Sequence, residues 1–420
     1  MTAIGAIIGL IVAIFLIIKK LPAAYAMIAG ALAGGLLGGI ALPQTISLMI
    51  DGIKDISPAI IRIIAAGVLS GVLVKSGAAE TISNAIIKVL GAQKVFLALA
   101  LATMLLCAAG VFIDVAVITV APIALSLGNR LGISKSLLLI AMIGGGKCGN
   151  IISPNPNTII AAENLEASLS SVIFYNIIPA TIGLIFTVFV VSKLIPQKQI
   201  QLSGKEFEIE NKNLPSVWSS LSAPITTLLL LSLRPICNIT IDPLLAMPIG
   251  GLVGIVCMKK YRESLSCLEY GLQKMSGVAI LLIGTGTIAG IIKNSTLKDC
   301  ILQMLAQANF SDTLVAPISG ALMSAATAST TAGATLASAS FSDVILGIGI
   351  SGAWGAAMIN SGATVLDHLP HGSFFHATGG VCELTFKERL KLVPYESLIG
   401  GVLAILTTIM YFILLLSDKS

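Results

Sequence analysis

The sequence predicts an all-α polytopic membrane protein made of two inverted-topology repeats. Each repeat is expected to have about five transmembrane crossings, one of them broken, and one re-entrant hairpin. Three observations lead there. First, the 420 residues are 56% hydrophobic and only 11% charged, whereas an ordinary soluble domain is about 25% charged. Second, scarce polar and ionisable residues collect in two stretches broken by proline and glycine, 144–158 (GGGKCGNIISPNPNT) and 360–378 (NSGATVLDHLPHGSFFHAT). Third, the order of apolar runs and breaks in the first half recurs in the second. Irregular backbone at membrane depth survives only where it is buried in protein or lines a cavity. Ionisable groups at that depth carry function by default.

Taken in order, Ala3–Ile18 and residues 21–41 read as two spans of about bilayer length. The first has no basic segment ahead of it and is followed by Lys19 and Lys20, so it reads as a span and not as a cleavable leader. Residues 44–57, with Asp51, Lys54 and Asp55, read as a short polar connection before an apolar run at 58–74. Ala78–Leu90 carries Glu80 and Lys88 and reads as an amphipathic surface helix. Residues 94–127 are apolar apart from Asp114. Residues 135–162 read as a crossing broken at Pro154 and Pro156, and 170–191 as a clean span. A charged linker, 193–218, separates a first repeat (1–192) from a second (219–420).

The repeat rests on order and punctuation. Gly67-Val-Leu-Ser-Gly71 aligns with Gly286-Thr-Ile-Ala-Gly290, and each precedes a short helix with an acid, Glu80 or Asp299. The stretch around Asp114 aligns with the Ser/Thr-rich residues 326–334, and Pro154 to Thr158 with Pro370 to Phe374. Residues 221–234, Pro243–Met258 and residues 398–415 supply the remaining spans. Charge then sets relative direction. Lys19 and Lys20 correspond to a loop, 235–242, with only Arg234 at its edge. The charge-balanced residues 43–57 correspond to 259–274, with Lys259, Lys260, Arg262 and Lys274. Glu163 and Glu166 correspond to Lys387, Arg389 and Lys391. Basic loops swap sides, so the positive-inside rule makes the repeats inverted, with the linker cytoplasmic and both termini outside the cell (inner) membrane. Two long apolar segments lie between Lys94 and Glu163 where parity allows one net crossing. Residues 94–127 are therefore expected to form a hairpin with its tip near residues 110–114.

The candidate substrate-binding residues are Lys147, Asn150, Ser153, Asn155, Asn157 and Thr158 at the first break. Ser329, Thr330 and Thr331 at the second hairpin tip, and Ser361, His371 and Ser373 at the second break, complete the set. Hydroxyls, amides and freed helix N-termini suit a carboxylate and its neighbouring hydroxyl groups. Asp114, Asp367, His368 and His376 are candidates for ion coupling, because carboxylates and histidines at membrane depth can carry protons. Plainer readings stay open. Ser and Thr in membrane helices often bond their own backbone, Asp114 can be a structural acid, and Lys147 can neutralise a substrate, pair with Asp114 or snorkel. A metal centre on the histidines is also conceivable, although H-x2-H-x4-H resembles no zinc spacing. The seven cysteines are odd in number and lack a C-x-x-C pair, so they read as packing residues. There is no G-x-x-x-x-G-K-[ST] motif, so ATP-driven pumping by this chain is not expected.

The segments 144–158, 326–333 (ATASTTAG) and 361–380 (SGATVLDHLPHGSFFHATGG) resemble the gluconate permease (GntP) family of the ion-transporter superfamily, and the similarity covers nearly the whole chain. The resemblance implies inverted repeats with paired hairpins and a homodimer with a scaffold and a moving transport part. It also implies proton-coupled uptake of sugar acids and short hydroxy acids without a cofactor. Where gluconate carriers have a PHPGP-like segment, this chain has Pro154-Asn-Pro-Asn-Thr158, and its histidines lie in the second half. In this it is similar to the branch that moves shorter acids such as glycerate or hydroxybutyrate. The expected function is therefore a symporter for a small hydroxy-monocarboxylate or sugar acid, partnered by protons and the lipid bilayer and not by nucleic acid. Alternatives are a sodium-coupled carrier or channel of the same architecture and, more remotely, an intramembrane metal-dependent enzyme.

Overall fold

A computed structural model describes residues 1–91, 94–195, 214–237, 241–297, 312–370 and 372–417. Every described element is helical. Most of the charged linker, Asp299 and His371 lie outside the described residues.

In the first half, α1 (Ala3–Ile18) and α2 (Ala23–Leu37) pack side by side and lead into α3 (Leu42–Lys75). The 34 residues of α3 make it about 51 Å long. Residues 44–57 are thus not a connection, as their charges suggest, but the opening turns of α3. Thr45, Met49, Gly52, Ile56, Ala59 and Ile63 recur every three or four residues and form its buried stripe. Asp51 and Lys54 pair with each other at 2.8 Å on the exposed side. Pro58 cannot bond the carbonyl of Lys54. The Ser57 hydroxyl donates to that carbonyl at 2.8 Å instead, and the helix continues.

Then come α4 (Ala78–Leu90), a hairpin of α5 (Val95–Ala108) and α6 (Ile113–Leu131), and α7 (Lys135–Asn150). After a break follow α8 (Pro156–Asn164) and α9 (Leu169–Phe186), which a π turn at Thr187–Val191 extends to Leu194. The second half has α10 (Val217–Cys237), α11 (Pro243–Met258) and α12 (Ser264–Lys293). A hairpin of α13 (Val315–Thr327) and α14 (Thr330–Gly347) leads to α15 (Gly352–Gly362). A second break precedes α16 (Ser373–Val381), α17 (Phe386–Leu390) and α18 (Val393–Ser417). The basic stretch 259–274 is likewise mostly helical, since α12 begins at Ser264. Among the described residues four helices are long and apolar enough to cross a membrane: Leu42–Lys75, Leu169–Leu194, Tyr261–Lys293 and Phe386–Leu414.

Packing partners recur between the halves. α3 runs along α12, α2 lies on α12, and α11 lies on α3. α5 packs on α7 as α13 packs on α15. α8 seats against α14 as α16 seats against α6. The second arm of each broken helix therefore leans on the hairpin of the other half. Two ends of the molecule can be told apart. At the linker end Lys135, which opens α7, pairs with Glu383 just past α16 at 2.8 Å, and Tyr395 donates to the Leu194 carbonyl at 3.2 Å. At the opposite end Ala3 N donates to Thr296 Oγ1 at 3.0 Å, Lys293 pairs with Asp55 at 2.8 Å, and Gly352, which opens α15, packs on the backbone of Leu165 just past α8.

Backbone contact holds α3 to α12. A Cβ on Gly52 would sit 2.1 Å from the Gly286 carbonyl, and one on Gly71 would sit 2.0 Å from that of Cys267. Small residues permit such approach, and dispersion and interhelical contacts follow from it. We expect Gly52→Leu to destabilise the protein by roughly 1–3 kcal/mol or more through overpacking, read as a lower unfolding midpoint in detergent. Gly401→Leu should leave the midpoint unchanged, because a Cβ there meets nothing within 4 Å.

Candidate functional site

The breaks and hairpin turns close around one cavity of about 310 Å³. Four helix N-termini reach it: α6 with Ile113 and Asp114, α8 with Asn157, α14 with Thr330 and Thr331, and α16 with Ser373 and Phe374. Asn150 at the end of α7, Ser329 and Asp367 add polar groups. Gly277, Val278 and Leu281 of α12 form an apolar wall with Phe112. The first-turn N–H groups of a helix lack intrahelical partners and carry positive partial charge. Asn155 caps α8 by accepting from Thr158 N at 3.1 Å, and Ser329 caps α14 by accepting from Ala332 N at 3.3 Å. Phe112 and Gly372, which precede α6 and α16, make no side-chain cap. The arrangement is built to receive an anion.

Side-chain amides repair the first break. Asn155 Nδ2 donates to the backbone carbonyl of Asn150 at 2.8 Å and to its Oδ1 at 2.6 Å. Asn360 on α15 donates to Thr158 Oγ1 at 3.0 Å. Asn176 on α9 donates to the Ile151 carbonyl at 3.3 Å and is itself fixed by Thr407 Oγ1 at 2.9 Å. Asn157 Oδ1 accepts from Thr331 Oγ1 at 2.9 Å, which joins the tips of α8 and α14. The carbonyls of Asn150, freed by Pro154, and of Ile151 thus find partners without water.

A charged knot repairs the second break. Lys147, with 0% exposure, donates to Asp367 Oδ1 and to the Thr364 carbonyl. Its third neighbour is His368 Nδ1 at 3.1 Å. Asp367 Oδ2 accepts from Thr330 Oγ1 at 2.5 Å. His368 Nε2 faces the Val393 carbonyl at 3.0 Å and Ser397 Oγ at 3.1 Å. His368 Nδ1 also lies 2.9 Å from Asp367 Oδ1, so the ring is held against both partners of the ion pair while its other nitrogen faces the Val393 carbonyl.

Of the residues singled out from sequence, Asn150, Asn157, Ser329, Thr330, Thr331, Ser373, Asp114 and Asp367 line the cavity. Lys147 and His368 stand behind Asp367, fully buried. Asn155 and Thr158 serve the cap of α8. Ser153 is buried, with no partner for its hydroxyl among the described residues. Ser361 donates to Met358 of its own helix at 3.1 Å. His376 is exposed and its Nε2 lies 2.9 Å from the Pro370 carbonyl, away from His368. Among the described residues no three His, Cys, Asp or Glu side chains stand close enough to share a metal ion. Sequence reasoning missed Asn176 and Asn360, whose signal was a lone amide in an apolar helix. It also missed the α12 wall, which carries no such signal.

A family model described as GntP family permease matches residues 1–415. An uncharacterized transporter of Haemophilus influenzae is 55% identical over 411 residues, covering 98% of both chains. A gluconate permease of Zymomonas mobilis is 23% identical over 439 residues, covering 97% of both. Among solved structures, the YdaH transporter of Alcanivorax borkumensis, of unusual topology, matches with a TM-score of 0.66 at 13% identity over 88% of both chains, a likeness of fold. The match to the family along nearly the whole chain, the 55% identity and the apolar helices agree: this multi-pass membrane protein belongs to the GntP family of permeases.

Proposed function

We propose that the protein is a secondary active symporter that takes up a small hydroxy-monocarboxylate or sugar acid together with a proton. The observation that carries this reading is the convergence of four helix N-termini on one cavity. A carboxylate there meets backbone N–H groups, two of whose helices lack side-chain caps. Neighbouring hydroxyls of the cargo meet Asn157, Ser329, Thr330, Thr331 or Ser373, and its carbons meet Phe112, Val278 and Leu281. The cavity's volume lies at the small end of ligand pockets. The gluconate permease of Zymomonas mobilis supports the sugar-acid class.

Coupling follows from charge. Lys147 and Asp367 neutralise each other. Asp114 has no ion-pair partner among the described residues. A substrate carboxylate about 5 Å from an ionised Asp114 would be repelled by roughly 3 kcal/mol at an effective dielectric of 20. A proton on Asp114 removes that repulsion, so proton and anion favour each other's binding, reciprocally. We further propose that residues 1–192 and 219–420 are inverted repeats, with the linker 193–218 cytoplasmic and both termini outside the inner membrane. Lys387 and Lys391 beyond α16 at the linker end, and Glu163 and Glu166 at the other, support that orientation.

In proteoliposomes, an inward proton gradient is expected to drive accumulation of at least one of glycerate, 3-hydroxybutyrate and gluconate, and a protonophore should abolish it. Uptake that requires sodium and ignores pH would overturn proton coupling. Asp114→Asn is expected to keep acid-induced thermal stabilisation and counterflow while losing gradient-driven accumulation by more than tenfold.

Asn157→Ala removes a hydrogen-bond partner of the cargo's hydroxyls and should raise KM by roughly three- to tenfold, the size of a hydrogen bond between neutral groups. Lys147→Met takes the lysine from the buried Asp367 and should cost about 3–5 kcal/mol of stability. Adding Asp367→Asn should recover much of that loss in the same thermal unfolding assay.

A further inference from the structure

The two arms that leave the cavity differ in exposure. Along α16, Ser373, His376 and Gly380 are exposed, whereas residues 156–162 of α8 are all buried. We take the packed flank along α8 as the sealed side of the cavity, and the flank along α16, toward the linker end, as the open one. At the far tip of α8 stands an ion cluster that the transport chemistry above does not use. Arg62 of α3 donates to Glu163 of α8 through Nη1. It also grips Asp242, the N-cap of α11, as a fork, with Nε to Oδ1 at 3.0 Å and Nη2 to Oδ2 at 2.7 Å. These side chains border a second cavity of about 150 Å³, and Glu163 also borders a crevice of about 300 Å³ that holds Asp55, Glu166, Asp343 and Lys293.

The cluster has no counterpart in the other half. The alignment of Gly67 with Gly286 puts Leu281 opposite Arg62, and that of Pro154 with Pro370 puts Gly379 opposite Glu163. The two acids also play unequal parts. Asp242 is doubly bonded to Arg62, accepts from Leu244 N at 2.8 Å, and is held by Arg62 below the usual carboxylate range. It stays ionised and fixed. Glu163 makes a single contact and rides on the helix whose other end, at Asn157, touches the cargo cavity. Any movement of α8 that opens the sealed side must part Glu163 from Arg62, and Nη1 of the guanidinium then faces that side while Nε and Nη2 stay on Asp242.

We propose that Arg62 is the first binding residue for the substrate on the sealed side, and that Glu163 occupies the place the substrate carboxylate takes when α8 moves. The cargo exchanges for Glu163 on the guanidinium and then passes inward to the four N-termini. This rests on the reading that the cargo is a carboxylate. The Nη1–Nη2 edge of a guanidinium recognises a carboxylate with two parallel hydrogen bonds, and the cation of the neighbouring crevice, Lys293, is already paired with Asp55.

The test is the KM measured from each face of oriented proteoliposomes, with whichever of glycerate, 3-hydroxybutyrate and gluconate the wild type accumulates. Glu163→Gln removes a competing carboxylate and should lower KM on the face away from the linker several-fold. Arg62→Gln should raise KM on that face by roughly tenfold, the loss of a charge-assisted fork, and change KM on the linker face less than twofold. If Arg62→Gln does not fold, Arg62→Lys, which keeps charge without the fork, should raise the same KM by a smaller factor. If Arg62 were only a latch, both Arg62→Gln and Glu163→Gln would open the sealed side and shift KM in the same direction; that result overturns the inference and leaves the carboxylate reading standing. A wild type that moves none of the three acids overturns both.

Discussion

Lys147 has three N–H donors and, deep in the protein, three polar neighbours: Asp367, the Thr364 carbonyl and His368 Nδ1. Both oxygens of Asp367 are also engaged, one by Lys147 and the other by Thr330. A buried ion pair is tolerable when every remaining hydrogen-bonding site is filled in this way and is otherwise a liability. Here the pair does architectural service. It ties α7 of the first half to the unwound segment of the second and sets the tip of α14 beside them. The polar wall of the cavity follows from that one knot. So does the division of labour among the acids, because Asp367 is committed to Lys147 and Asp114 is not.

The two breaks face the same problem, unpaired backbone groups far from water, and solve it differently. The first uses amides: Asn155 from within, Asn176 and Asn360 from neighbouring helices. The second uses the charged knot. Both solutions borrow side chains from other elements, so neither half can complete its own break. The crossed packing has the same effect, since α8 leans on α14 and α16 on α6. The four N-termini meet because each half brings one hairpin turn and one unwound segment to the same depth.

Much of this was legible in the sequence because its causes are local. Proline, glycine and rare charges mark breaks and turns in a chain that is otherwise apolar, and the hairpins follow from parity. What was not legible depended on contacts across space. The charges at 51–55 and Pro58 look like a loop, and only the Ser57 hydroxyl on the Lys54 carbonyl shows why α3 continues. His368 and His376 are neighbours in sequence, yet the unwound segment before α16 turns one inward to Lys147 and the other out to solvent. Which polar residues face the cavity and which repair the break is a matter of phase across an irregular segment, where helical periodicity gives no guide. Val278 and Leu281 sit in the cavity wall as ordinary apolar residues of a long helix.

In the proposed cycle the same electrostatics explain why cargo and proton would move together. The positive partial charge of the N-termini disfavours a cavity with no negative charge, and two carboxylates about 5 Å apart repel each other by roughly 3 kcal/mol at an effective dielectric of 20, so one negative charge is the balance between the two. The empty carrier supplies it from Asp114. The loaded carrier supplies it from the cargo, with Asp114 protonated. The two states that cross the membrane thus present nearly the same charge to the same dipoles. The half-loaded states do not: anion without proton crowds two negative charges together, and proton without anion leaves the dipoles facing nothing. Coupling then needs no mechanical link between a proton site and a substrate site, only a cavity small enough for the two carboxylates to feel each other.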